Sequence, residues 1–228
     1  MITTVVFDLD DTLYEEISYC RSGFEAVARF LAEKVASASS GEIFDSLWGQ
    51  FTSGNHTQTF NTALDELNIE YDGELIAELV KVYRNHEPEI SLPKDSSDIL
   101  TGLSGKYTLA MLTDGFLPAQ KLKVAALGIE KYFKCIVYTE ELGREFWKPC
   151  PVGFEKIMEA LNVKANEMVY IGDNESKDFI APNKLGFRTI KLARDGHIHT
   201  STSDDPDSKP QHVITNLDEL PGLLESIK

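Results

Sequence analysis

The sequence predicts an α/β protein: a doubly wound parallel sheet interrupted by an inserted all-α four-helix bundle. Three observations carry that prediction. Short apolar runs of strand-forming residues open the chain at Val5-Val6-Phe7 and recur through its second half, separated there by helical stretches. Strands alternating with helices imply right-handed crossovers and a parallel sheet covered on both faces. Residues 15–90 show instead four successive apolar stripes at helical spacing. The strand-like runs, moreover, stop on polar residues, which places those residues at the carboxyl edge of the sheet, where open α/β sheets bind ligands.

The elements follow in order. A strand ends at Asp8, with Asp10 and Asp11 just beyond it. Ile17, Cys20, Phe24, Val27, Leu31 and Val35 mark a first helix. Ile43, Phe44, Leu47, Trp48 and Phe51 mark a second, Phe60, Ala63, Leu64 and Leu67 a third, and Leu75, Ile76, Leu79, Val80 and Tyr83 a fourth. Such a set packs as a small bundle whose aromatic and leucine stripes form its core. After Ser91-Leu92-Pro93, a helix is expected over 96–103, a strand over 107–113, and a helix over 118–127 closed by Gly128. A strand at 135–138, a helix at 149–161, a strand at 168–171 and a helix at 177–185 come next. A strand at 187–192, a polar loop over 196–211, an edge strand at 213–214 and a helix over 217–227 complete the chain. The expected division is a core domain of residues 1–14 and 91–228 with an inserted helical domain of 15–90.

Composition limits the classes of function. With 228 residues, 42% of them hydrophobic, the chain suffices for one domain or one domain plus an insertion. A net charge of −15 repels phosphate backbones and anionic lipid, which argues against nucleic acid and membrane surfaces as partners. It also means that any phosphate site needs local cations or a metal. Cys20, Cys135 and Cys150 form no Cys-x-x-Cys, as expected of reduced thiols in a cytoplasmic protein. No apolar run approaches the ~20 residues of a membrane span, and no signal peptide is expected. Asn55-His56-Thr57 and Asn174-Glu175-Ser176 match the glycosylation triplet by chance. Oligomeric state is left open between monomer and homodimer.

The chemistry-bearing residues sit at the strand ends. Asp8 and Asp10 lie two apart, so their side chains share a face of an extended strand. Carboxylates that close ask for a hard divalent cation with oxygen ligands, or for a shared proton. The second strand ends at Thr113, followed by Asp114-Gly115; Lys148 precedes Pro149 and a helix; the fourth strand ends at Gly172-Asp173, with Asp178 five residues on. Taken singly, Thr113 is a helix N-cap, Lys148 a solvated lysine and Asp178 a first-turn acid. Their joint order along one sheet edge is the signal.

In that order the chain resembles the haloacid dehalogenase superfamily, over essentially its whole length. Val5-Val6-Phe7-Asp8-Leu9-Asp10-Asp11-Thr12 is similar to the first motif, Thr113 to the second, Lys148 to the third, and Ile171-Gly172-Asp173 with Asp178 to the fourth. The helical insertion resembles the family's cap. The resemblance implies a Rossmann-like core and a phosphatase that cleaves a small-molecule phosphomonoester through an aspartyl-phosphate. Asp8 would be the nucleophile and Asp10 the acid and base. Thr113 and Lys148 would hold the phosphoryl group, with backbone N–H groups near Leu9 and Asp114 assisting. Mg²⁺ would take the Asp8 carboxylate, the Asp10 carbonyl and Asp173, with Asp178 a ligand or an outer partner. Asp11 is expected to face away without a chemical role.

Rival readings remain. A phosphomutase would keep every residue named. A haloacid dehalogenase needs neither Mg²⁺ nor an acid two residues past the nucleophile, so Asp10 counts against it. A phospho-signalling receiver has its phosphorylated acid on a later strand and no helical insertion, and a catalytically silent binding protein would be expected to have lost Asp8 or Asp10. The substrate expected is a small phosphorylated metabolite selected by cap residues, with Tyr14, Arg21, His56 and Arg84 as candidate specificity residues; Asn55, Gln58 and His86 lie nearby in sequence. His197 and His199 are expected to be solvated, and Trp147 either lines the site or packs beneath the following helix.

Overall fold

The structure, a computed structural model, describes residues 1–194 and 203–227. Six strands form one sheet: β1 (Thr4–Phe7), β2 (Thr108–Thr113), β3 (Cys135–Tyr138), β4 (Met168–Gly172), β5 (Arg188–Leu192) and β6 (His212–Ile214). Their order is β3-β2-β1-β4-β5-β6, with every neighbouring pair parallel. The direction of winding therefore reverses between β1 and β4, and an open sheet forms its ligand crevice at such a switch point. Alternation along the strands makes the sheet two-faced. Val5, Phe7, Leu109 and Met111 pack into one cluster with Leu100, Leu103, Val124 and Leu224. Val6, Ala110, Leu112 and Tyr170 pack into another with Phe154, Ile157 and Phe179. Helices α5 (Lys94–Ser104), α6 (Ala119–Leu127) and α9 (Leu220–Ser226) serve the first face. Helices α7 (Val152–Leu161) and α8 (Ile180–Leu185) serve the second.

The helical segment is α1 (Glu16–Lys34), α2 (Ser40–Thr52), α3 (Thr59–Glu66) and α4 (Gly73–Asn85). Ser39 and Glu42 cap α2 reciprocally, and the Asp72 carboxylate accepts from Leu75 N–H at 2.9 Å to start α4. Phe24 is the hub of an aromatic core, with Phe51 5.3 Å, Tyr83 5.2 Å and Phe60 6.1 Å away between ring centroids. At Gly23, α1 and α4 come so close that an added Cβ would lie 2.5 Å from the Tyr83 ring.

Both ends of the segment are tied to the first helix. Asp11 takes the left-handed conformation (φ 53°), and its carboxylate accepts the Glu16 N–H at 2.8 Å. Asp11 is spent on structure: it satisfies an orphan donor at the start of α1. At the exit, His86 Nδ1 faces the Tyr83 carbonyl at 2.6 Å, so that nitrogen carries the hydrogen. His86 Nε2 then accepts from Ser22 Oγ at 3.0 Å, and Ser22 in turn accepts the Glu89 N–H at 2.8 Å. The chain leaving α4 is thereby pinned to α1.

Two of the element starts that differ from expectation have a local cause. Residues preceding proline avoid helical geometry, so Lys148 and Cys150 hold the chain extended or turned until Pro151, and α7 begins at Val152 rather than 149. The expected helix from 177 begins at Ile180, because the Asp178 carboxylate captures the N–H groups of Asp173 and Asn174 and holds a turn there. His197 and His199 lie outside the described residues. Among those described, no helix is long and apolar enough to cross a membrane.

Burial lowers the affinity of His86 for a proton, with the Tyr83 carbonyl opposing. A base whose folded pKa is depressed contributes stability above its unfolded pKa, about 6.5, and loses it as pH falls through that value. Urea unfolding of the parent and His86→Ala should therefore differ by about 1–2 kcal/mol at pH 8, with the gap narrowing at pH 5.5.

Candidate active site

The carboxyl ends of β1 and β4 are adjacent, with Phe7 opposite Ile171 in the register. Asp8 follows the first strand and Asp173 the second, and the Asp8 N–H continues the ladder to the Ile171 carbonyl at 2.8 Å. Carboxylate oxygens of Asp8, Asp173 and Asp178 all lie within 4.8 Å of one another, and all three residues are buried. Lys148 enters this cluster from the loop after β3. Its ammonium stands 2.9 Å from Asp8 Oδ1 and 2.7 Å from Asp178 Oδ1, and it donates to the Tyr170 hydroxyl at 2.9 Å.

Two braces hold that lysine. The Asp114 carboxylate accepts the Lys148 N–H at 3.2 Å and the Thr139 hydroxyl at 2.7 Å, which ties the β2 edge to the lysine loop. Asp178 is committed at both oxygens: Oδ1 to Lys148, and Oδ2 to the N–H groups of Asp173 (3.2 Å) and Asn174 (2.9 Å). Only glycine permits this at 172, where an added Cβ would lie 2.6 Å from Asp178 Oδ2.

The charges are unevenly balanced. Burial pushes Asp8 up to about 6 against the pull of Lys148. Burial would raise Asp178 as well, but Lys148 and Lys177 outweigh it and hold that acid below its ordinary value. Asp173 goes the other way: burial first, then Asp178 and Asp8, outweigh the pull of Lys177 and push it up to about 9. A buried carboxyl that resists ionising, with two carboxylates beside it, is a set of hard oxygen donors short of positive charge. It fits a divalent cation such as Mg²⁺.

Asp10 belongs to a second network. Tyr14 donates its hydroxyl to Asp10 Oδ1 at 2.5 Å, Lys123 stands 2.7 Å from the same oxygen, and the Gln120 amide donates to Oδ2 at 2.8 Å. Gln120 also donates to Thr113 Oγ1 at 2.6 Å, which links the two strand ends. Burial would raise Asp10, but the Lys123 charge and the hydrogen bonds outweigh it, and the group sits below its ordinary value. Lys123 has a further acid, Glu16, at 3.7 Å. Gln120 and Lys123 were missed in the sequence. The signal was there: two polar side chains on the buried face of α6, between Ala119, Val124 and Leu127.

A cavity of about 420 Å³ lies between α1–α4 and the core, bounded by Asp10, Glu16, Asp114, Gln120 and Lys123 on its polar side. His56 and Arg84, two of the candidate specificity residues, line it. Tyr14 and Arg21 do not. Tyr14 is almost fully buried, and its hydroxyl is spent on Asp10. Arg21 is exposed on α1, pairing with Glu25 at 3.2 Å and lying over Phe44 and Trp48. Asn55 shapes its own loop through Gln50 and Thr62. Trp147 packs edge-on against Phe116 and donates to Glu140 at 3.1 Å, outside the cavity. Asp8, Thr113, Lys148 and Asp173 are not among the residues that line this cavity; Lys148 is drawn onto Asp8 and Asp178 instead.

Known proteins resemble this chain over most of its length. Residues 2–186 match the family described as haloacid dehalogenase-like hydrolase. A glyceraldehyde 3-phosphate phosphatase of Methanopyrus kandleri is 28% identical over 234 residues, spanning 96% of this chain and 99% of its own. The human (Homo sapiens) N-acylneuraminate-9-phosphatase is 25% identical over 241 residues, spanning 99% and 95%. Among solved structures, YfnB of Bacillus subtilis, bound to magnesium, superimposes with a TM-score of 0.71 at 22% identity, covering 98% of each chain. A 2-haloacid dehalogenase of Pseudomonas syringae pv. Tomato DC3000 gives 0.68 at 24%, covering 99% of each. These structures share the fold.

Crowding at Gly172 makes a specific prediction. Gly172→Ala should lose about 1–3 kcal/mol in urea unfolding, the cost of overpacking. Gly102→Ala, in α5 with open space around it, should be neutral or gain up to about 1 kcal/mol.

Proposed function

The chain belongs to the haloacid dehalogenase-like hydrolases, and on that premise we propose that it is an Mg²⁺-dependent phosphatase of a small phosphomonoester, working through an aspartyl-phosphate on Asp8. The observation that carries this reading is the buried cluster of Asp8, Asp173 and Asp178 closed by Lys148 at the switch point of the sheet. Curated relatives matched over nearly their whole length are named phosphatases, which supports the same class.

Hydrolysis of a phosphate monoester is among the slowest uncatalysed reactions, and a carboxylate nucleophile divides it into two easier steps. Asp8 attacks phosphorus, the bond to the leaving oxygen breaks, and water later cleaves the aspartyl-phosphate to release inorganic phosphate. The Asp8 and Asp173 carboxylates and the Asp10 carbonyl would hold Mg²⁺, with Asp178 behind them orienting Lys148 and the Asp173 turn. When bound, Mg²⁺ supplies positive charge that offsets repulsion between the nucleophile and the phosphate. Lys148 and the Thr113 hydroxyl, with the backbone near Leu9 and Asp114, hold the phosphoryl oxygens.

Asp10 stands on the leaving-group side, at the cavity wall. In its ionised state, held by Lys123, Gln120 and Tyr14, it is set to take a proton from the attacking water. An incoming phosphate dianion raises its affinity for the proton that the leaving oxygen requires. This role separates the protein from a dehalogenase, whose chemistry calls for no acid there. Residues 15–90 form the cap and residues 1–14 with 91–228 the core domain. The cap closes over a small metabolite and shields the reaction from water. Three unpaired cysteines suit a cytoplasmic setting.

Phosphate release from a panel of phosphomonoesters should require Mg²⁺ and fall at least about 10⁴-fold in Asp8→Asn, the scale seen when a covalent nucleophile is removed. A variant as active as the parent would overturn the reading. Independently of turnover, Mg²⁺ at a hundred times its Kd should stabilise the parent by about 2.7 kcal/mol, about 5–10 °C in Tm for a chain of this size. Thermal melts of Asp173→Asn should show little of that shift.

A further inference from the structure

The cavity beside Asp10 has walls of contrasting chemistry. Its helical wall is apolar: Phe24, Phe51, Phe60, Ile76, Val80 and Tyr83. Its charged groups are mostly committed. Lys123 is engaged by Asp10 and Glu16, and Asp114 by Lys148 N–H and Thr139. Arg84 is the exception. Among the described residues it has no carboxylate within ion-pair distance, though it lines the cavity from the end of α4. Its guanidinium lies 3.4 Å from the centroid of the Phe116 ring, which belongs to the core loop on the opposite wall. A guanidinium stacked by its face keeps its N–H edge for a planar acceptor.

A second observation at the same place points to an anion. Arg144 also lies against Phe116, 4.1 Å from the centroid, so two cations share one ring. The nearby acid, Glu140, is already engaged by Arg144 at 3.7 Å and by the Trp147 indole at 3.1 Å. Like charges this close leave an unbalanced positive spot in a protein of net charge −15. The spot adjoins an aromatic wall, and Asp10 and Arg84 are both on the cavity surface.

Resting on the phosphatase reading, we propose that the leaving group is ring-sized, lays an apolar face on the aromatic wall, and carries a carboxylate or similar anionic group that pairs with Arg84. Compact leaving groups such as glycerol would leave both the aromatic wall and Arg84 unused. Size and charge are thus read by different parts of one pocket. The aromatic wall rewards apolar contact without direction. Arg84 rewards one anion at one place.

The test compares phenyl phosphate with 3- and 4-carboxyphenyl phosphate and with glycerol phosphate, on the full chain with Mg²⁺. In the parent, the better carboxyphenyl isomer should exceed phenyl phosphate about tenfold in kcat/KM, mainly through KM, the scale of one charge-assisted hydrogen bond. Both ring esters should exceed glycerol phosphate. In Arg84→Gln the carboxylate preference should disappear, and Arg84→Lys should retain part of it. Equal kcat/KM for the charged and uncharged rings in the parent would overturn the proposal. So would a preference that survives Arg84→Gln, or one in which glycerol phosphate is the best substrate. An Arg84→Gln variant slowed equally on all esters would also overturn it, showing that Arg84 serves only to hold α4 on Phe116. Phenyl phosphate reads the parent reaction alone: if no ester, phenyl phosphate included, releases phosphate with Mg²⁺, it is the phosphatase reading that fails.

Discussion

A buried ammonium between two buried carboxylates is the constraint on which this site depends. Lys148 is withdrawn from water and answers both Asp8 and Asp178. Desolvating such charges costs several kcal/mol each, repaid only when geometry and hydrogen bonding are nearly complete. The surroundings supply that completion. Tyr170 accepts from the ammonium, Asp114 holds the lysine backbone, and two N–H groups of the Asp173 turn fill the other oxygen of Asp178. Glycine at 172 follows from this packing, because Asp178 occupies the space a side chain would need.

Charge left over from this arrangement gives the site its chemical character. Lys148 and Lys177 do not relieve the three acids equally, and Asp173 stays raised, which makes a cation at this edge favourable. Asp10 sits in a separate frame of Tyr14, Gln120 and Lys123. Two acids only two residues apart therefore sit in different surroundings: burial raises Asp8, which pairs with Lys148, while Lys123 and its hydrogen bonds hold Asp10 below its ordinary value.

The helical segment acts on the site through its ends and its wall. The Asp11 carboxylate starts α1, and the His86–Ser22 bridge returns the chain to the same helix. Between those ties, an aromatic core centred on Phe24 extends to the cavity surface. Residues that stabilise the helical packing are thus also the residues a leaving group would meet. Arg84 on Phe116 joins the segment to the core across the same cavity.

Much of this was legible in the chain itself. Apolar runs ending on Asp8, Thr113 and Asp173 are local patterns, and a parallel sheet must bring such strand ends to one edge. The order of those residues and of Lys148 carried the family resemblance, and that resemblance implied the reaction class. Asp178's grip on the Asp173 turn, and the shortened α8 that follows from it, depended on side-chain hydrogen bonds that periodicity does not report. Tyr14 and Arg21 were adjacent in sequence to the site yet fell outside the cavity, one buried behind Asp10 and the other turned to solvent by helical phase. Lys123 and Gln120 entered from a helix more than a hundred residues beyond Asp10, and Arg84 found Phe116 across the cavity. Sequence determined which groups stand at the sheet edge, because strand ends are set locally. Only the tertiary structure decided which charges meet and which stay open, because those pairings join segments that are distant along the chain.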